Sequence, residues 1–498
     1  MPEPEPVPAP AGAGPPPLPA PPIERINDFP DRLSPMLVKE LRQGLRTNTF
    51  VVLFLSLQGL LALVLLTAGP VAAAEDSSSG AAGDVVSRIV FCIYAFGVLL
   101  VQPLRGISAV AAEQKQNTID LMVLTRLSSW RIVWGKWSSI VSQSALILMA
   151  VLPYLILRYF FGGMQLFGEL ALLAFLFLLS ASFTAFTVGL SAVGSALLRG
   201  LVVVCASAFL VWAIPAHLAF RLPRYVDALS FTSTGEFFRI LAAAGLALYG
   251  GYFFLELGAT AIAPAAENRS TRKRLLALLV IAVSLLAFGP AGPRPALAAA
   301  LMVTGFLALD VFGERGDFPA GVCRPFVRRG LPGRLAGRFL YPGWPTGALF
   351  LALLAALVMA FVSFAPFGRC DDRDLLMVAA AFGAMLFPAA MIQLFARATS
   401  QRFTIYVSLL IMSFLLTIIL SALQHAVREP VILWAFAFIP MVFFPLSDTL
   451  HAKSGPLAGE FILFSAWGVA GVYFLVILFG ALPRLRALSN LERKALEL

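Results

Sequence analysis

The sequence predicts an all-α polytopic membrane protein of about 12 (12–13) transmembrane helices: a six-span N-terminal core followed by further C-terminal spans. Three observations predict it. Of 498 residues, 59% are hydrophobic and 13% charged, with a mean hydropathy of +0.86, so there is too little charge to cover a water-soluble surface. Apolar runs of roughly 20 residues, the length that crosses a bilayer, recur along nearly the whole chain, most clearly at 49–69, 140–161, 170–192 and 461–482. The basic residues behind a net charge of +10 fall mainly in alternate loops, as the positive-inside rule requires.

Residues 1–33 are rich in Pro, Ala and Gly and read as a disordered, partly polyproline tail rather than a cleaved signal. Residues 34–47 form the first element. Ser34 is placed to cap it and Pro35 suits its first turn. Leu37, Leu41 and Leu45 repeat every four residues, opposite Lys39, Arg42 and Arg46. This is the pattern of a short basic amphipathic helix lying on a membrane surface; a plain juxtamembrane flank is the alternative.

Spans then follow at 49–69, 85–104, 139–161, 170–192, 201–220 and 240–263. The loop 70–84 carries Glu75, Asp76 and Asp84 without a basic residue and is assigned outside. Residues 105–138, with Arg105, Lys115, Arg126, Arg131 and Lys136, are assigned inside. The outer segment 221–239 has mixed charge and suits short re-entrant or interfacial helices. Arg269, Arg272, Lys273 and Arg274 mark the inside again. In the second half, short spans at 275–289 and 296–312 precede a Pro/Gly-rich inner loop, 313–347, holding Arg315, Arg324, Arg328, Arg329, Arg334 and Arg338. Spans at 348–366, 375–395, 404–423 and 461–482 complete the additional region, 266–482. Residues 431–446 contain Pro440 and are marginal in length. A full crossing there would put the C-terminus outside, against the basic tail 483–498, so a partial or re-entrant segment is the expectation.

The chemistry-bearing stretch is the inner loop after span 2, with a helix expected within 111–127. As a helix from Glu113 to Thr125, it brings Glu113, Gln116, Asn117 and Asp120 onto one face and Ile119, Met122 and Val123 onto another. Trp130, Trp134 and Trp137 follow at the aromatic belt. An amphipathic helix held by a cytosolic partner and an ordinary interfacial loop anchored by tryptophans both fit these residues.

The pattern Glu113…Thr118-x-Asp120…Thr125, then Ile132-x-x-Gly135-Lys136, resembles the signature of ABC-2 type permeases, the membrane subunits of ABC exporters. Ser34-Pro35-x-Leu37-x-Lys39-Glu40-Leu41-Arg42 is similar to the connecting helix before span 1 in that family. Asn117 stands where the family has Gly, and Arg126 where it has Pro. The resemblance covers residues 34–265. It implies a coupling helix whose Glu113, Thr118, Asp120 and Thr125 contact a separate cytoplasmic ATPase, and a connecting helix whose Lys39, Arg42 and Arg46 meet headgroups. It also implies an inner (plasma) membrane location, a cytoplasmic N-terminus, and a homodimer or heterodimer of permeases.

The sequence contains no phosphate-binding loop of the form G-x-x-x-x-G-K-[ST], so ATP hydrolysis is expected in another chain. No catalytic residue, cofactor, metal site or nucleic-acid partner is expected. Two alternatives stand beside the exporter: a secondary transporter, for which Glu256 in span 6 is the intramembrane polar candidate, and a non-transporting assembly factor. An intramembrane enzyme using Asp371, Asp372 and Asp374 lacks a second acidic cluster. The four cysteines suggest no disulfide framework.

Overall fold

A bilayer offers no hydrogen-bonding partner to a bare peptide group, so a chain this apolar must fold as helices. The computed structural model describes residues 35–74, 81–116, 127–159, 165–193, 195–230, 234–264, 267–288, 293–364, 370–397, 399–427, 431–449 and 456–497. Among these residues there is no strand. The expected tail 1–33, and Thr118, Asp120 and Thr125, lie outside the described residues.

The surface helix α1 (Pro35–Leu45) is followed by α2 (Asn48–Ala74) and α3 (Ala81–Ala95). After α3 the chain winds through a π-helical turn, Phe96–Val101, and a 3₁₀ turn, Arg105–Ser108, to the short α4 (Ala111–Lys115). Then come α5 (Ser129–Tyr159), α6 (Leu166–Val193), α7 (Ala196–Leu229) and α8 (Thr234–Ile262). The second half comprises α9 (Ser270–Phe288), α10 (Pro293–Gly313), the surface helix α11 (Gly330–Leu340), α12 (Trp344–Phe364), α13 (Asp372–Phe395), α14 (Arg402–Val427) and α15 (Pro456–Glu497). Among the described residues, eleven helices are long and apolar enough to cross a membrane. With α9, whose first turn is charged but whose remainder is apolar, the molecule is a multi-pass all-α membrane protein of about 12 helices.

Polar contacts sort the helix ends onto two faces. On one, Arg158 at the end of α5 pairs with Glu169 in the first turn of α6 (2.7 Å) and donates to the Gly83 carbonyl (3.1 Å). On that face Arg294 also pairs with Asp371 (2.8 Å) and Asp374 (2.9 Å). The other carries α1, the start of α5, the start of α9 and the end of α15, and is called here the terminal face. The helices α13 and α15 run parallel, since Gly383 faces Ala470, Phe387 faces Tyr473 and Gln393 faces Gly480. Past the spans, α15 lays Leu488 and Ala495 against Cys323, Val327 and Tyr341. Burial pushes the Cys323 thiol up to about 11, with a Tyr341 hydrogen bond acting the other way, so the group stays a neutral thiol near neutral pH.

Several expectations are corrected. The segment 221–239 is not a separate set of interfacial helices: α7 runs on as one 34-residue helix to Leu229, through Pro215 and Pro223. Lys273 and Arg274 are not solvated loop markers but buried residues in the first turn of α9. Arg158 and Asp310 are each buried against an opposite charge. Asp371 and Asp374 form a capping box at the start of α13. The 313–347 region is largely helical. Residues 431–446 are broken into Val431–Ala435, a 3₁₀ turn at Pro440–Val442 and Phe443–Thr449. Leu433, Val442, Phe443 and Leu446 of that segment are fully buried, which allows irregular backbone among spans.

Close helix contact relies on small residues, as usual where lipid competes with any apolar side chain. The tightest crossing is α6 on α8. There Gly189 sits against the Phe254 backbone and Gly258 against Gly189. A Cβ at Gly189 would land on the Phe254 carbonyl, whereas one at Gly245 meets open space. Gly189→Ala is therefore expected to cost about 1–3 kcal/mol, read as a lower thermal midpoint in detergent. Gly245→Ala is expected to leave the midpoint unchanged or raise it slightly. Equal midpoints for the two variants would contradict this crossing.

Candidate functional site

The terminal face of the first half is built around Lys136. This lysine lies in the second turn of α5, where α1 and α4 both reach it. Gly135 lets α1 approach, with the Met36 side chain only 3.0 Å from where a Cβ would stand. Lys136 then bridges two elements. Its Nζ lies 2.8 Å from Glu113 Oε1 of α4 and 3.3 Å from Glu40 Oε1 of α1. The lysine is 5% exposed, so its charge depends on these two carboxylates.

A second set of contacts fixes the turn between α1 and α2. Arg105 donates to the Gly44 carbonyl (3.3 Å), Thr47 Oγ1 (3.1 Å) and Gln102 Oε1 (3.2 Å), and bonds Gln143 Oε1 of α5. Its guanidinium also lies 5.8 Å from the Phe50 ring centroid. The 105–116 segment is tied to the end of α6. The Val110 amide donates to Ser191 Oγ (3.1 Å), and Gln114 Nε2 to the Ala192 carbonyl (3.2 Å). Between α1, α5 and this segment lies a polar cavity of about 580 Å³, bordered by Glu40, Arg105, Glu113, Lys136 and Gln143.

The charged layer continues into the second half. Arg269 reaches Glu256 (3.2 Å), Glu267 (2.7 Å) and Ser129 Oγ (3.0 Å), joining α8, the α8–α9 connection and the first residue of α5. Next to it, Lys273 pairs with Asp310 (2.5 Å) and Arg274 with Glu314 (3.1 Å). Arg274 also donates to the carbonyls of Phe339 (2.8 Å), Tyr341 (2.6 Å) and Gly343 (3.1 Å). Gly343 has φ +105, where a side chain would be strained, and its amide donates to Glu314 Oε2 (2.6 Å). Two cations and two carboxylates thus cancel inside a cluster that locks α9, α10 and the start of α12 together.

The residues expected from sequence divide as follows. Lys39 and Arg42 on α1, and Arg46 just after it, are exposed. Glu113 is half-buried and turned toward Lys136 rather than outward. The described helix that contains it is Ala111–Lys115, and most of the rest of the helix expected within 111–127 falls on residues outside the described ones, up to 126. Thr118, Asp120 and Thr125 fall in 117–126, outside the described residues, on the connection between α4 and α5. Glu256 is 1% exposed and paired with Arg269 of the α8–α9 connection. Sequence reasoning quoted Glu40 and Lys136 inside motifs without giving either a role; their i-to-partner separations of 96 and 23 residues hide the pairing. It gave Arg105, Gln143 and Arg269 no role beyond loop charge or none at all. Among the described residues no group of three His, Cys, Asp or Glu is placed to hold a metal ion.

A second cavity, about 560 Å³ and almost wholly apolar, lies in the spanning region between the π-helical turn after α3 and α6, α7, α8 and α10. There α6 supplies the hydroxyls that irregular backbone needs: Ser180 donates to the Val98 carbonyl and Thr187 to that of Pro103, both at 2.6 Å. No family model, no curated protein and no solved structure matches the chain.

Removing the charge on Lys136 would strand Glu113 and Glu40 against each other. Lys136→Met is expected to destabilise by about 3–5 kcal/mol, seen in thermal or denaturant unfolding in detergent. Adding Glu113→Gln to Lys136→Met is expected to recover part of that loss. If the double variant is no more stable than the single one, the pair is not coupled.

Proposed function

We propose that this chain is the membrane-spanning permease subunit of an ATP-driven ABC exporter, powered by a separate cytoplasmic ATPase. The observation that carries the reading is the Glu40–Lys136–Glu113 bridge. It ties the amphipathic α1 and the short α4 to the head of α5, on both sides of the connection 117–126. A push on 117–126 from outside the chain would pass directly into α5, a 31-residue span, and through Ser129–Arg269 into α8. That is the mechanical layout a coupling segment needs, and it stands beside the resemblance of 34–47 and 113–136 to ABC-2 permeases.

On this reading the terminal face is cytoplasmic. The exposed Lys39, Arg42, Arg46, Arg324, Arg328, Arg329 and Arg338 on it fit the positive-inside rule. Thr118, Asp120 and Thr125 meet the ATPase, while Glu113 serves as the inward strut behind them. Two permease chains pair, each offering one coupling segment; α2 and α7, the least buried spans, leave the apolar surface for it. A secondary transporter would use an intramembrane carboxylate free to exchange a proton or ion, and Glu256 is instead held by Arg269.

The test is to purify the tagged full chain in mild detergent and to measure the ATP hydrolysis that accompanies it. An ATPase chain is expected to co-purify. Asp120→Lys should lose it. Lys136→Gln should keep it bound but lower substrate export or stimulated hydrolysis by about tenfold or more. Absence of any ATP-hydrolysing partner, or an association unaffected by Asp120→Lys, would overturn the reading.

A further inference from the structure

Five lysine or arginine side chains are buried among the described residues: Lys136, Arg158, Lys273, Arg274 and Arg402. Four have a carboxylate within ion-pair distance. Arg402, only 6% exposed, has none, and its Nε has no hydrogen-bond acceptor. Its guanidinium lies on the Trp344 ring, 4.6 Å from the centroid. A second guanidinium, Arg484, approaches the same ring at 5.8 Å. Trp344 is 1% exposed and its Nε1–H is also without an acceptor. That Nε1 and Arg484 Nη1 crowd together at Gly316. Among the described residues Arg484 has a carboxylate within ion-pair distance in Asp317, 3.7 Å away and 96% exposed.

Two positive charges and a buried N–H donor therefore converge with no acceptor inside. An unpaired charge at that burial is strongly disfavoured, and the usual relief is a bound counter-ion with charge-assisted hydrogen bonds. The first turn of α14, which Arg402 opens, adds free backbone amides and the positive end of a 26-residue helix. Position identifies the anion. Trp344 and Arg402 each begin a spanning helix, and Arg484 follows the apolar stretch of α15, so all three sit at the depth of the headgroups on the terminal face. We propose that Arg402, Arg484 and Trp344 Nε1 form a binding site for one phosphate group, at the rim of the second-half helices. The site is independent of the ATPase-coupling segment.

Native mass spectrometry of the full chain, titrated with palmitoyl-oleoyl phosphatidylglycerol or phosphatidylcholine, tests this, alongside thermal unfolding in inorganic phosphate or chloride. If the phosphate is a lipid's, one phosphatidylglycerol is retained in preference to phosphatidylcholine, and inorganic phosphate leaves the midpoint where chloride does. If it is a free phosphate, inorganic phosphate raises the midpoint and the two lipids bind alike. In either case Arg402→Gln and Trp344→Phe are expected to weaken the preferred probe about tenfold. Arg484→Gln, at a part-exposed position that does not endanger folding, should do the same. Equal binding of both lipids with no response to phosphate overturns the site, as does an Arg484→Gln protein with wild-type preference.

Discussion

Charge in a low-dielectric interior must be cancelled within reach, and this constraint organises the terminal face. The chain places buried Lys136, Lys273 and Arg274 there, with Arg269 nearly buried beside them, and each is answered by a carboxylate from a different element. Such pairs repay their desolvation only when the geometry is held, so each also holds the geometry. The spanning helices between these ends are predominantly apolar. Specificity of arrangement comes from the ion pairs at their ends and from glycine contacts such as Gly189 on Gly258.

Seen this way, the two halves of the molecule are joined mechanically. Tyr249, Phe253 and Phe254 of α8 meet Phe306 of α10. At the surface Arg269 links α8 to the start of α5. Motion of α5 and α1 would therefore reach α9 and α10 through a short series of contacts rather than through lipid. Among the C-terminal elements, α15 packs Leu488 and Ala495 against the 320–341 surface segment.

Much of this was legible in the sequence, and the parts that were not share a cause. Hydropathy located the long spans because their apolar length is set by the bilayer, and Pro440 signalled the broken segment after α14. The same reasoning took Lys273 and Arg274 for loop charges, since a window along the chain cannot see Asp310 and Glu314 some 40 residues away. Arg158 and Glu169 were obscured in the same way. The mixed charge of 221–239 suggested an end to α7 near residue 220, but the helix continues to Leu229 through Pro215 and Pro223. At the candidate site, Gly135-Lys136 was visible as a motif, whereas its physical content was not: glycine admits α1 and lysine clasps it.

The central claim is that an ATP-driven partner presses on residues 117–126 and that the Lys136 bridge carries the push into α5. The most direct measurement is photo-crosslinking in intact cells from an unnatural amino acid at position 120, with position 371, on the opposite face, as the control. The account predicts an adduct from position 120 with a chain that bears a nucleotide-binding phosphate loop, and none from 371. An adduct with such a chain from 371, or none from 120 while the protein is folded in the membrane, would contradict it.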